Sequence, residues 1–359
     1  MKKVVILMFA VMAVMMGMAQ NGYQISGKID GMSDGILLLM SGESEVRDTL
    51  AETNLVNGAF MFSGKVEKPV MAYIIPANGE RMIPLVLENT NFMINVGSTA
   101  VLVQGGRQQE IYNKFSRNNM ELLQGQNRIR QEFRLAEQAG DKSRMQELTE
   151  KYEKMIIDAR QKEEELLKLY SDSYVAAYVV AVGARSLELE PLKARYNLLG
   201  EAAKQTVPGR FVASQIEELE QLSVGNEAPD FTVISQTGDS LSLYPIKSKL
   251  KLLVFWDSNN LKCREDNVTF LDIYQKYHLR GLEIVSISRE ENRQAWLKAI
   301  NQDGMFWKQG LDANSTVFNR YHVLSIPYTV LLDEENKIIA KNLQGVDLRK
   351  KVAELLKRK

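Results

Sequence analysis

Residues 251–266 read KLLVFWDSNNLKCRED, and the fold of the last third of the chain turns on them. Residues 252–256 are apolar without a break and run into a short polar loop, DSNN. A charged segment at helical spacing follows. A strand that is apolar at every position is covered on both faces, which is the pattern of a central strand in an α/β sheet. Cys263, at the loop-to-helix junction, is the single cysteine in 359 residues.

Downstream, GLEIVSIS is a second continuous apolar strand and ENRQAWLKAI a second helix. IPYTVLLD and KIIAKNL read as strands joined through Glu334-Glu335-Asn336, a hairpin-like connection. LRKKVAELLKRK closes as an amphipathic helix with basic residues in its last turn, where they complement the helix dipole. Upstream, APDFTVIS and SLSLY are short strands. Residues 223–359 are therefore expected to form one α/β domain.

The first third has a different period. YQISGKI, ILLLM, NGAFMFSGKV, VMAYIIP, MIPLVLE and NFMINV are short strands with Gly, Pro and Asn between them. Asn57-Gly58 is a hairpin turn signal. Residues 20–103 are expected to be a small all-β domain, a sandwich or barrel. The period then becomes helical over residues 104–222. Ile111, Phe115, Leu122, Ile129, Phe133 and Ala136 share one face. Met145, Leu148, Tyr152, Met155, Ala159, Leu166 and Leu169 share another, and Gly140-Asp141 separates the two. A second helical patch is interrupted at Gly183, and Pro208-Gly209 breaks the chain before a last helix, FVASQIEELEQL.

The N-terminus reads as an export signal over residues 1–19. Lys2 and Lys3 precede an apolar run too short to span a bilayer, and Gly17-Met18-Ala19 offers small residues for cleavage after Ala19. The mature chain is expected in the periplasm or cell envelope, with no stable membrane span. Lysine plus arginine equals aspartate plus glutamate at 45 each, so no charge excess argues for nucleic acid. One cysteine excludes an internal disulfide framework. His278 and His322 have no ligand spacing to each other or to Cys263, so no metal site is expected. His278 is placed at a helix end and His322 on a loop before Pro327.

KLLVFWDSNNLKCRED resembles the strand–loop–helix of the TlpA-like family of exported thioredoxin-fold proteins, redoxins related to AhpC/TSA. VGNEAPDF at residues 224–231 is similar to that family's opening motif, and SIPYTVLLDEENKI to its cis-proline segment. The resemblance covers residues 222–359 and implies a thioredoxin-like fold and thiol–disulfide chemistry. It places Cys263 at the resolving position of C-x-x-C and Asn260 where the nucleophilic cysteine stands. It also places Ile326 and Pro327 at the cis-proline loop, with Trp256 beside them. The β-rich and helical regions resemble the N-terminal part of some exported thioredoxin-like proteins of Gram-negative bacteria, and this brings no catalytic residues.

The implied chemistry requires a thiolate at a helix start, where the dipole lowers its pKa. It attacks a disulfide, and the second thiol resolves the adduct. A carboxamide cannot begin that sequence, but it caps a helix well. Cys263, under the first helical turn, is expected to be shielded, of high pKa and core-like. Lys262 and Arg264 are cations that could lower that pKa or simply face water. A peroxidase motif is absent, since Asn260 occupies the position three before the cysteine where threonine is required. Pro327 and Ile326 either present backbone to an extended peptide by strand addition or shape a turn, and Trp256 either contacts that peptide or fills the core. The leading expectation is a redox-degenerate fold that binds a protein or peptide, without a cofactor. The alternatives are a one-thiol oxidoreductase acting through Cys263 and a structural cell-envelope protein.

Overall fold

The computed structural model describes residues 22–43, 48–77, 82–98 and 100–357. The expected export signal lies outside them. The chain divides into two compact units, one running to Ser214 and one from Gln215 to Lys359.

The first unit begins with eight strands: β1 (Tyr23–Ile29), β2 (Gly35–Ser41), β3 (Thr49–Leu55), β4 (Ala59–Gly64), β5 (Val70–Pro76), β6 (Ile83–Leu87), β7 (Asn91–Val96) and β8 (Val101–Gln104). They form two four-stranded sheets, β4-β1-β7-β8 and β3-β2-β5-β6. Alternation sends every second side chain inward, as in β7, where Phe92, Ile94 and Val96 are buried. The inward faces of both sheets meet in one core that includes Ile25, Leu39, Phe62, Ile74, Leu85 and Ile94. This is a sandwich. Asn57 and Gly58 both have positive φ, as the expected tight turn requires. The turn closes with the Val56–Ala59 bridge, but β3 and β4 then part into different sheets.

Helix Arg107–Ala139 and helix Lys142–Leu169 follow as an antiparallel pair. Gly140, at φ 68°, ends the first, and the Asp141 side chain caps the second by accepting from the Arg144 amide at 3.0 Å. Ile111, Phe115, Ile129, Ala136 and Leu148 of the expected faces are buried. Leu169, the last residue of its helix, is 70% exposed instead. Gly183 does not interrupt its helix, which runs Tyr174–Ala184. A Cβ at Gly183 would meet nothing within 4 Å, so the glycine costs helix propensity only. Pro208-Gly209 is not a break either. The last helix starts at Val207, which puts Pro208 in the first turn, where a missing N–H loses no helical hydrogen bond.

The second unit is a seven-stranded sheet with helices on it. Its strands are β9 (Thr232–Ser235), β10 (Ser240–Ser242), β11 (Leu250–Trp256), β12 (Leu282–Ser288), β13 (Lys308–Leu311), β14 (Tyr328–Asp333) and β15 (Ile338–Lys341). Their order is β10-β9-β13-β12-β11-β14-β15. β11 is parallel to β12 and antiparallel to β14, and all seven of its residues are buried. Leu252, Val254 and Trp256 enter a core on one face with Cys263, Phe270, Trp296 and Trp307. Leu253 and Phe255 enter a second core on the other face with Phe318, Tyr321 and Tyr328. Two covered faces are the reason residues 252–256 read as unbroken apolar sequence. The arrangement is a thioredoxin-like α/β fold. Among the described residues, no helix is long and apolar enough to cross a membrane.

Candidate functional site

β11 ends at Trp256, and helix Leu261–Tyr277 starts five residues later. Asn260 is its N-cap, with extended backbone, and its side-chain oxygen accepts from the Cys263 amide at 3.0 Å. The rest of the loop is tied back on itself. The Asn260 amide donates to the Asp257 carbonyl at 3.2 Å, and the Asn259 amide to the Asp257 carboxylate at 2.8 Å.

Cys263 lies directly beneath. Its residue exposure is 0%, and it packs in the core that holds Trp256. Burial pushes its thiol up to about 11. A backbone hydrogen bond from Asp257 and the charge of Arg289 oppose that rise, while the Asp257 and Asp266 carboxylates add to it. The two cations that flank Cys263 in sequence are engaged elsewhere. Lys262 pairs with Asp266 at 2.8 Å. Arg264 does not simply face water: it holds Asp303 through Nε and Nη2, both at 2.6 Å, and Asn267 donates to the same carboxylate at 2.7 Å.

Glu290 is a residue that the sequence reading missed. It is buried just past the end of β12, and both of its carboxylate oxygens are used by the loop. One accepts from the Ser258 hydroxyl and the other from the Asn259 carboxamide at 3.0 Å. The available signal was its place after a buried parallel strand adjacent to β11, since adjacent parallel strands deliver their following loops to the same edge.

The Ile326-Pro327 peptide bond is cis. β11 pairs with β14 up to Phe255–Tyr328, so the register brings Pro327 to the end of β11 that carries Trp256. Ile326 is half-buried and packs against both cores of the unit. The fold thus gathers Trp256, Asn260, Cys263, Ile326 and Pro327 at one end of the sheet. Trp256 is fully buried and fills the core. His278 caps the C-terminus of the helix that Asn260 begins, and His322 lies on the segment before Pro327.

The AhpC/TSA family profile matches residues 224–341, and a domain of unknown function, DUF4369, matches residues 23–112. The thiol–disulfide oxidoreductase ResA of Bacillus thuringiensis subsp. konkukian is 26% identical over 139 residues, covering 39% of this chain and 80% of that protein. A thioredoxin domain of a thiol-disulfide oxidoreductase from Bacteroides vulgatus is 33% identical. That likeness covers 37% of this chain and 98% of the other, with a TM-score of 0.36. The C-terminal domain of a putative thiol-disulfide oxidoreductase from Bacteroides thetaiotaomicron is 30% identical, covers 39% and 99%, and has a TM-score of 0.37. Residues 224–341 thus carry an AhpC/TSA family domain, similar to the thiol–disulfide oxidoreductases.

Proposed function

We propose that this chain is an exported thioredoxin-fold protein whose dithiol cycle has been lost and whose site serves to bind a protein or peptide. The observation that carries the reading is the Asn260–Cys263 pair. The residue at the nucleophile position is a carboxamide committed to capping a helix, and the one thiol in the chain is buried beneath it. A mixed disulfide needs an accessible thiolate to form and a second thiol to resolve it. Neither condition is met by a fully buried thiol pushed up to about 11. The same burial argues against the one-thiol oxidoreductase.

Binding requires no thiol. The half-buried Ile326 and the exposed Leu324 and Ser325 lie beside the loop end of β11, and an extended segment can pair with backbone there. Export rests on Lys2, Lys3, the apolar run and Gly17-Met18-Ala19, and gives a mature N-terminus at Gln20.

Insulin-disulfide reduction with dithiothreitol tests the loss of the cycle. The purified protein is expected to give the rate of the dithiothreitol blank. Turnover well above that blank contradicts the reading.

A further inference from the structure

The sheet of the second unit opens between β9 and β13. The two strands pair antiparallel at Ser235–Gly310 and Ile234–Leu311, and the register ends there. Beyond Leu311 the chain turns away, and the Ser315 amide donates to the Asp312 carbonyl at 3.0 Å. β9 still has Val233 and Thr232 on that side. Hydrogen bonds alternate from one side of an antiparallel strand to the other. The Ser235 amide donates to the Asp239 carbonyl at 2.8 Å, and the Phe231 carbonyl accepts from Leu243 at 3.3 Å. Phe231, Val233 and Ser235 therefore face the β10 side, and Thr232 and Ile234 face the β13 side. Ile234 meets Leu311, but Thr232 has no strand residue opposite it. Its N–H and C=O open onto a cleft.

The cleft has a volume of about 360 Å³ and lies between β9, the loop after Leu311 and helix Thr316–Arg320. That is the small end of the range for ligand pockets. Phe231, Val233, Leu311 and Val317 give it an apolar wall, and the exposed Arg320 also lines it. Among the described residues, the Arg320 guanidinium donates through Nη1 to the Asp230 carbonyl at 2.7 Å. That bond anchors the cation two residues before Thr232 and leaves Nε and Nη2 to a ligand. The neighbouring carboxylates are turned inward. Asp312, 5% exposed, accepts from the amides of Thr316, Val317 and Phe318 at 3.0, 2.8 and 3.0 Å. Asp230 accepts from the amides of Phe231 and Tyr244 at 2.8 and 3.1 Å. Arg320 is the charge left to be matched by a ligand.

An open strand position pairs with a main chain, an apolar wall takes a side chain, and a guanidinium fork takes a carboxylate. The last residue of a peptide carries all three partners. We propose that the cleft binds the C-terminal end of a peptide, with its main chain on Thr232, its last side chain on the apolar wall and its carboxylate on Arg320. β13, β12 and β11 separate this site from β14 and the Ile326 segment, so it is a second site and does not rest on the function proposed for that segment.

The whole chain labelled with 15N-threonine is titrated with acetyl-Ala-Val-Leu and with the same tripeptide as its C-terminal amide. The acid is expected to shift the Thr232 amide signal saturably, and the amide to bind at least about tenfold more weakly. In Arg320→Gln the two affinities should converge. Isocaproate offers the carboxylate and the side chain without a peptide group, and should bind more weakly than the tripeptide acid. No saturable shift at Thr232, equal affinity for acid and amide, or isocaproate binding as tightly as the tripeptide overturns the proposal. The acid–amide comparison uses the wild-type chain, so it decides the matter even if Arg320→Gln fails to fold.

Discussion

Asn260 does at the head of its helix what a carboxamide does well, which is to accept an otherwise unpaired backbone N–H. Asn260→Cys gives up that cap, at a cost of about 1 kcal/mol. It also restores a pair of thiols on a scaffold that still presents a helix start. Insulin reduction by this variant is expected to rise measurably above the wild-type rate. A variant that forms the 260–263 disulfide yet stays at the blank rate would mean that more than one residue of the loop has changed. Cys263 makes the complementary prediction. Cys263→Ala removes a fully buried side chain and should cost about 1–2 kcal/mol in a urea melt, with no change in binding. The folded thiol is raised from 9.0 to about 11 by burial, so folded and unfolded chains are equally protonated only well below pH 9. Between about 9 and about 11 only the unfolded chain ionises, and wild-type stability falls by on the order of 2 kcal/mol relative to Cys263→Ala. Parallel urea melts from pH 7 to 11 check the sign. The cap was legible in the sequence, because helix-start preference is a local property, whereas the shielded thiol followed from the resemblance, which sets Cys263 under the first turn. Glu290 was not, since its role depends on two strands lying side by side.

At the scale of elements, helix Leu261–Tyr277 is held to the loop after helix Arg293–Gln302 by one carboxylate. Asp303 receives both Arg264 nitrogens and Asn267. Asp303→Ala leaves a half-buried guanidinium and a buried carboxamide without that partner, and should cost roughly 2 kcal/mol by urea denaturation. Arg264→Ala combined with Asp303→Ala should cost less than the sum of the two single changes. Additive losses would show that the pair contributes nothing as a pair. The strong strands and the long helices were legible because their apolar spacing is the spacing of burial. β13 was not. It contributes KQGL, and Gly310 sits there because an added Cβ would come within 2.4 Å of the Val233 side chain. A strand chosen for close approach to its neighbour carries little apolar signal. β3, at the edge of its sheet, was missed for a related reason, as most of its residues are not buried. Gly183 and Pro208 were read as punctuation by residue type, whereas a glycine within a helix and a proline in its first turn are both tolerated.

At the scale of the whole molecule, each unit closes its own core. The sandwich buries both inner faces, and the seven-stranded sheet is covered on both sides. Residues 215–359 produced alone should therefore fold cooperatively, with near-UV circular dichroism from Trp256, Trp296 and Trp307 and a single urea transition. A collapsed species without near-UV signal would show that this core depends on the rest of the chain. The order of β-rich, helical and α/β regions could be read from the changes in period. The pairing of β1 with β4 and β7 could not, because it joins strands far apart in sequence. The central claim is that the one thiol of this chain is a core residue under a capped loop and not a working nucleophile. Alkylation with iodoacetamide at pH 7, followed by intact mass, tests it most directly. The native protein should remain unlabelled on the timescale in which the urea-unfolded protein takes up one equivalent. Native labelling as fast as that of the unfolded chain would contradict the claim.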